Sequence, residues 1–319
     1  MKIVVTGGAG FIGSEMCLQL NAKGHEVHVI DSLTYAGKRE SLASIINSII
    51  FSKLDIRDSV SLDSFFLENS FDIVVNFAAE THVDNSIETP RIFLESNIMG
   101  TFNLLEQARK HNFRFLQIST DEVYGSIREG EFSEEDKLEP SSPYSASKAS
   151  AELIVNSYLR TFGVNALGVR CSNNYGPRQN SEKLIPAFIR KITRGEKVPV
   201  YGTGKNVREW IHVSDSVSGI IQVMLEGRVG EYYNISSSEF HSNLEVTRRL
   251  LSYFDKDESS IEFVEDRKGH DFRYAINSQK IRSELGWSPK ITFPTGLVST
   301  IEWYLQNPEY LKNERLEKL

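Results

Sequence analysis

The sequence predicts an α/β chain: a doubly wound parallel (Rossmann) sheet followed by a smaller C-terminal substrate-binding lobe. Three observations carry this. A short apolar strand pattern runs straight into a glycine-rich turn, Gly7-Gly8-Ala9-Gly10-Phe11-Ile12-Gly13. Strand and helix patterns then alternate as far as Arg170, the signature of βαβ units. After Arg170 the alternation breaks, and a chain of 319 residues is long for a single core.

Taken in order, residues 3–6 read as a buried strand, 13–23 as a helix and 26–30 as a second strand. Residues 49–54 form the third strand, 60–68 a helix and 72–77 the fourth strand. A long helix pattern over 91–110 precedes the fifth strand at 114–119, and a second one over 145–162 precedes the sixth at 166–170. Residues 172–181 read as loop, 184–194 as helix, and Tyr201-Gly-Thr-Gly204 as a turn. Helices and short strands follow, punctuated by Gly269 and Gly286. The expected division is a dinucleotide-binding domain over 1–172, with a return segment near 208–225, and a smaller lobe over 173–319.

Composition narrows the function. With 40% hydrophobic and 25% charged residues, the chain reads as a globular protein. Lys and Arg number 36 against 43 Asp and Glu, a net charge of −7 without a basic run, which argues against nucleic acid as a partner. Any anionic ligand must be met by local cations and helix N-termini. Cys17 and Cys171 lie in apolar sequence outside any metal or redox motif, as reduced core thiols do. Lys2 precedes the apolar Ile3-Val4-Val5, but that run breaks at Gly7-Gly8, too soon for a signal peptide. No stretch approaches the ~18 apolar residues of a membrane span, so a cytoplasmic protein without a membrane partner is expected. His82 and Asp84 share a loop and His270 adjoins Asp271, yet no pair of histidines has helical ligand spacing, and no metal is expected.

The glycine turn between strand and helix suits a dinucleotide pyrophosphate. Asp31 ends the second strand, where its carboxylate would accept a ribose 2′-hydroxyl and repel a 2′-phosphate, which favours NAD; nearby Lys38 and Arg39 keep NADP open. Asp55 and Ile56 follow the third strand, and Ala78, Ala79 and Thr81 the fourth, where small residues let a cofactor lie against the backbone. Asn97 reads either as a surface residue or as one reaching the cofactor.

The string Ser119-Thr120-Asp121-Glu122-Val123-Tyr124-Gly125 is followed by Tyr144-Ser-Ala-Ser-Lys148. Tyr144 and Lys148, four apart on a helix, share a face, and the ammonium should lower the phenol pKa toward neutrality. Such a tyrosine can take a proton from a sugar hydroxyl while hydride passes to NAD⁺. Asp121 and Glu122 sit at the carboxyl edge of the sheet. In a continued strand they would point apart, so both can serve one substrate only if the chain has turned. In a dry cleft one of the two should stay protonated, giving an acid beside a base. Solvated loop acids would be the bland alternative.

These residues reach a resemblance. Gly7 to Gly13, Asp31-Ser-Leu-Thr-Tyr-Ala-Gly37, Ala78-Ala-Glu-Thr-His-Val-Asp84, Ser119 to Gly125, Pro143 to Lys148, Arg170 to Pro177, Glu182-Lys-Leu-Ile-Pro186 and Gly269-His-Asp271 resemble the dTDP-glucose 4,6-dehydratases, which are extended short-chain dehydrogenase/reductases. The likeness spans nearly the whole chain, and Thr-Asp-Glu is its most specific part. It implies NAD as cofactor, held by Gly7, Gly10, Phe11, Ile12, Gly13, Asp31, Ser32, Leu33, Thr34, Asp55, Ile56, Ala78, Ala79, Thr81, Asn97, Ser119, Tyr144, Lys148 and Asn174. It implies that Tyr144 deprotonates the glucose 4-hydroxyl, tuned by Lys148 and steadied by Thr120. Glu122 would then remove the C5 proton while Asp121 protonates the departing 6-hydroxyl, giving a 4-keto-6-deoxy sugar. Substrate contacts are implied at Thr81, His82, Thr120, Asn173, Lys183, Leu184, Pro199, Tyr201, Arg208, Asn243, Arg267 and His270, with Arg273 as another cation. Lys268, Ser238-Glu239-Phe240 and Asn180-Ser181 depart from the family pattern, all on the nucleotide side. Helices 91–110 and 145–162 carry surplus apolar surface, so a homodimer through a four-helix interface is expected, as in the family. The rival functions are a nucleotide-sugar 4-epimerase or decarboxylase on this scaffold, and a nonenzymatic NAD-binding sensor.

Overall fold

The computed structural model describes residues 1–266 and 271–312. Its strands are β1 Lys2–Thr6, β2 Glu26–Asp31, β3 Ile50–Lys53, β4 Ile73–Asn76, β5 Arg114–Thr120 and β6 Ala166–Cys171. They continue with β7 Asn173–Tyr175, β8 Val198–Tyr201, β9 Val207–His212, β10 Tyr232–Ile235, β11 Phe240–Ser242 and β12 Ile261–Val264. The main sheet runs β3-β2-β1-β4-β5-β6-β10, and each neighbouring pair is parallel. This is the doubly wound α/β order, and the direction of winding reverses between β1 and β4. Ligands of such sheets bind at that reversal, beyond the strands' carboxyl ends.

Alternation along the strands feeds two apolar layers. Ile3, Val5, Val29 and Val75 face Met16 and Leu20 of the helix Phe11–Ala22, together with Val217, Ile220 and Met224 of the helix Val213–Glu226. Val4, Val74 and Phe115 face the other way, onto Leu104, Leu105 and Val155. The last comes from the helix Pro143–Phe162, which starts with Pro143 behind a Ser142–Ser145 capping box and stops at Gly163 in the left-handed conformation. A separate core joins Ile185, Ile189, Trp210, Leu250 and Phe293. It lies around two small sheets, β11-β9-β7 and β12-β8.

Two expectations need correcting. The main sheet has a seventh strand, β10, contributed from beyond the break in alternation, and Ile281 and Trp287 also join the core on that side. The stretch 172–181 is not all loop, because β7 pairs with β9. The helix pattern over 91–110 is present over residues 90–111 with a π-helical stretch, Leu94–Met99, inside it. No described helix is long and apolar enough to cross a membrane.

Candidate active site

A cleft of about 310 Å³ opens along the carboxyl ends of β1, β2, β4, β5 and β6. Its floor is the first turn. Gly7 sits at φ +66°, and a Cβ there would lie 2.7 Å from the Ala78 nitrogen. A Cβ on Gly13 would lie 2.2 Å from the Gly7 carbonyl. Only glycine allows this approach of turn, helix and neighbouring strand. Gly10 caps the helix Phe11–Ala22 without a side-chain hydrogen bond, leaving its N-terminal amides as a positive site for a pyrophosphate. Asp31 accepts from the Ala9 and Leu33 amides at 2.9 and 2.8 Å, and burial raises its pKa. The cradle fits a dinucleotide.

Most of the expected cofactor residues line this cleft: Gly7, Gly10, Phe11, Ile12, Gly13, Asp31, Ser32, Thr34, Asp55, Ile56, Ala78, Ala79, Thr81, Ser119, Tyr144, Lys148 and Asn174. Leu33 and Asn97 do not. Leu33 packs against the sheet core instead. Asn97 is buried, accepts from the Glu80 amide at 2.8 Å and donates to the Glu80 carbonyl and the Ser147 hydroxyl at 3.0 and 2.8 Å. It therefore braces the loop after β4 against the Tyr144 helix, with both amide hydrogens engaged.

The catalytic candidates converge. Thr120 ends β5 and caps a 3-10 turn, Asp121–Tyr124, by accepting from the Glu122 amide at 3.3 Å. The chain has turned where the adjacent acids required it, and Thr120, Asp121, Glu122, Tyr144 and Lys148 line one cleft. The Thr120 hydroxyl donates to Asp121 at 3.1 Å. Burial, followed by the charges of Glu122 and Glu209, pushes the Asp121 carboxyl well above the usual range. Of the pair, Asp121 is the carboxyl whose burial favours holding a proton.

The tyrosine corrects an expectation. Burial first, then the charge of Glu122, raises the Tyr144 pKa, while a hydrogen bond with Thr120 opposes the rise. The Lys148 ammonium donates to the Ile118 carbonyl at 2.6 Å, and burial lowers its pKa to about 8. In the protein alone desolvation dominates at Tyr144.

The expected substrate residues separate. Thr81, Asn173 and Lys183 line the cleft, and the Lys183 ammonium donates to the Thr81 carbonyl at 3.3 Å. His82 and Leu184 lie one residue from lining positions without lining it themselves; His82 stands 3.8 Å from Glu182. Arg208 is buried over the Tyr274 ring and donates to the Asp271 and Phe272 carbonyls at 3.0 and 3.3 Å. Pro199 and Tyr201 lie on β8, and Asn243 opens the helix Asn243–Tyr253, all outside the cleft. Arg267 and His270 fall outside the described residues. Arg273 is turned to the Gly130 carbonyl at 2.7 Å. Lining residues that the pattern reading passed over include Gly37, Arg57 and Asn180. At Gly37 a Cβ would lie 2.6 Å from the Asp31 carboxylate, a close approach that only the folded chain reveals. Among the described residues no cluster of three or more His, Cys, Asp or Glu could hold a metal.

A dinucleotide cradle, a tyrosine–lysine helix and an acid–base turn around one cleft define an extended short-chain dehydrogenase/reductase. Residues 4–300 match the family model described as GDP-mannose 4,6 dehydratase, and the chain belongs to that family. It is 48% identical to the low-salt glycan biosynthesis protein Agl12 of Haloferax volcanii, over 97% of this chain and all of that one. It is 43% identical to a dTDP-glucose 4,6-dehydratase of Xanthomonas campestris, over 99% of this chain and 98% of the relative. Among solved structures, DesIV, a dTDP-glucose 4,6-dehydratase from Streptomyces venezuelae with NAD and TYD bound, superposes with a TM-score of 0.95 at 45% identity, covering 98% of this chain and 99% of that one.

Proposed function

We propose that this chain is an NAD-dependent hydro-lyase that converts dTDP-glucose to dTDP-4-dehydro-6-deoxy-D-glucose. The observation that carries the reading is the buried Asp121, its carboxyl pushed well above the usual range, beside Glu122 in the cleft of Tyr144 and Lys148. Oxidation alone needs only the last two.

NAD, which the glycine turn and Asp31 would hold, would supply the hydride acceptor for C4 and the hydride donor for C6, so the overall reaction is redox-neutral. Tyr144, once ionised, accepts the 4-hydroxyl proton, and Thr120 steadies that hydroxyl. Lys148 supplies positive charge at the floor of the site. The resulting ketone acidifies C5–H. Glu122 takes that proton and Asp121 gives its own to the 6-oxygen; the C6–O bond breaks, a C5–C6 double bond forms and water leaves. The proton held by Glu122 returns to C5 and, with the hydride the cofactor would supply at C6, completes the product.

Asn173 and Lys183 supply polar and positive groups for the diphosphate, with Thr81, His82 and Leu184 bordering them. Pro199, Tyr201 and Asn243 serve the nucleotide from the second lobe, and Arg208, whose charge acts on Asp121, supplies a further cation for the diphosphate. The two-lobe division, 1–172 with a return through 208–225 and 173–319, is supported by the separate apolar core around Ile185, Leu250 and Phe293 and by Val213, Val217 and Ile220 of the return segment in the main-sheet core. Leu94 and Met99 on one helix and Leu153 and Phe162 on its packing partner are about half exposed or more, which supports a homodimer through these helices. A cytoplasmic location agrees with the buried free thiols Cys17 and Cys171.

The test is to offer dTDP-glucose, UDP-glucose and GDP-mannose in parallel and identify each product by mass spectrometry. A 4-keto-6-deoxy product from dTDP-glucose without accumulating NADH is the expected result. A hexose that keeps its 6-hydroxyl would make the protein a 4-epimerase, carbon dioxide release a decarboxylase, and NAD binding without turnover a sensor.

A further inference from the structure

The acid–base turn and the tyrosine–lysine helix are separate elements, yet one substrate must be reached by both without moving. Their connection runs beneath the cleft. Tyr124 closes the turn Asp121–Tyr124 and is fully buried. Its hydroxyl donates to the Asn234 side-chain oxygen of β10 at 2.9 Å and accepts from Arg170 Nη1 at 2.5 Å. Arg170, on β6, stands in register opposite Ser119. Its Nε donates to Glu152 Oε1 at 3.2 Å and its Nη2 to Glu152 Oε2 at 2.7 Å. Glu152 is itself fully buried, one helical turn after Lys148 on the same face. The guanidinium is packed between the rings of Tyr124 and Tyr232, 4.8 and 4.7 Å from their centroids.

A single planar cation thus ties the helix bearing Tyr144 and Lys148 to the turn bearing Asp121 and Glu122. A bidentate guanidinium pair is directional and fixes both partners in orientation. We infer that Arg170 and Tyr124 are positioning residues that set the spacing between the oxidising pair and the eliminating pair. The inference rests on the dehydratase reading. Loosening the Tyr124 arm leaves the Tyr144 helix in place and lets Asp121 and Glu122 drift, so elimination suffers more than oxidation.

Tyr124→Phe is the informative variant. Removing Arg170 would strand the buried Glu152 charge and risks the fold, whereas loss of one hydroxyl leaves Arg170 Nη1 near the Glu134 carbonyl at 3.4 Å. With dTDP-glucose, kcat and solvent exchange at C5 should each fall about tenfold or more, as small misplacements of reacting groups do. KM should change by less than about twofold. The share of enzyme carrying reduced nicotinamide in the steady state should rise, because oxidation then outpaces elimination. Independently of turnover, amide exchange should quicken about fivefold or more across residues 119–125 and stay unchanged across 143–162. Unchanged kcat and unchanged exchange would overturn the inference, as would an equal loss of oxidation and elimination. Failure of the unaltered protein to turn over dTDP-glucose would instead overturn the dehydratase reading, and this inference with it.

Discussion

The Thr120 hydroxyl donates to the Asp121 carboxyl at 3.1 Å, while the Glu122 amide donates to the same hydroxyl at 3.3 Å. One small side chain at the end of a strand therefore orients both members of the acid–base pair. Its hydroxyl also lies near enough to Tyr144 to oppose the rise in that tyrosine's pKa. The site is an assembly around Thr120, and each member's removal has its own signature.

Asp121→Asn and Glu122→Gln should each lower kcat by about a hundredfold or more, the usual range for a lost acid or base. Both variants should still bind NAD, since neither residue belongs to the glycine cradle. Glu122→Gln should in addition stop exchange of the C5 proton with solvent. Proton NMR in deuterated buffer checks this, and unchanged exchange would remove Glu122 from the role of base.

The alkaline side of the pH profile should report Lys148 and Asp121. Lys148 has its pKa lowered to about 8 by burial, so its charge is lost as pH rises through that value. Asp121, its pKa raised, also loses its donor proton as pH rises. Both changes act in the same direction, and kcat should decline above about pH 8. Initial rates across the alkaline range test this, and a profile still flat two units higher would contradict it.

Glu209 links pH to stability. It is fully buried, and burial raises its pKa from 4.5 to about 7. A carboxyl whose folded pKa is raised stabilises the fold below its unfolded pKa and loses that contribution as pH rises through the folded value. At about 1.4 kcal/mol per pKa unit, the loss between pH 4.5 and 7 is roughly 3 kcal/mol. Glu209→Gln should flatten this part of the stability curve, as read by denaturant melts at several pH values.

Gly13→Ala should abolish copurification of NAD, because the added methyl meets the Gly7 carbonyl at 2.2 Å. Forcing the helix away from the turn should also cost about 1–3 kcal/mol of stability. Absorbance and mass spectrometry of the denatured protein's supernatant give the NAD content directly.

The sheet and its glycine cradle were legible because each strand is a local apolar run and the turn is a local motif. Thr120, Asp121, Glu122, Tyr144 and Lys148 were legible for the same reason. What escaped depended on distant partners. β10 became a sheet strand only by pairing with β6, and β7 by pairing with β9. Asn97 looked available until Glu80 and Ser147 took its amide. The rise in the Tyr144 pKa needed knowledge of burial, which the YxxxK spacing does not contain. Arg170 gave no sign of its role, because Glu152 and Tyr124 reach it from two other elements.

The most direct measurement is turnover of dTDP-glucose in deuterium oxide, followed by NMR of the sugar product. The account predicts a 4-keto-6-deoxy hexose, lighter by one water than its precursor and carrying solvent deuterium at C5. A product that retains oxygen at C6, with its original hydrogen still on C5, would contradict it.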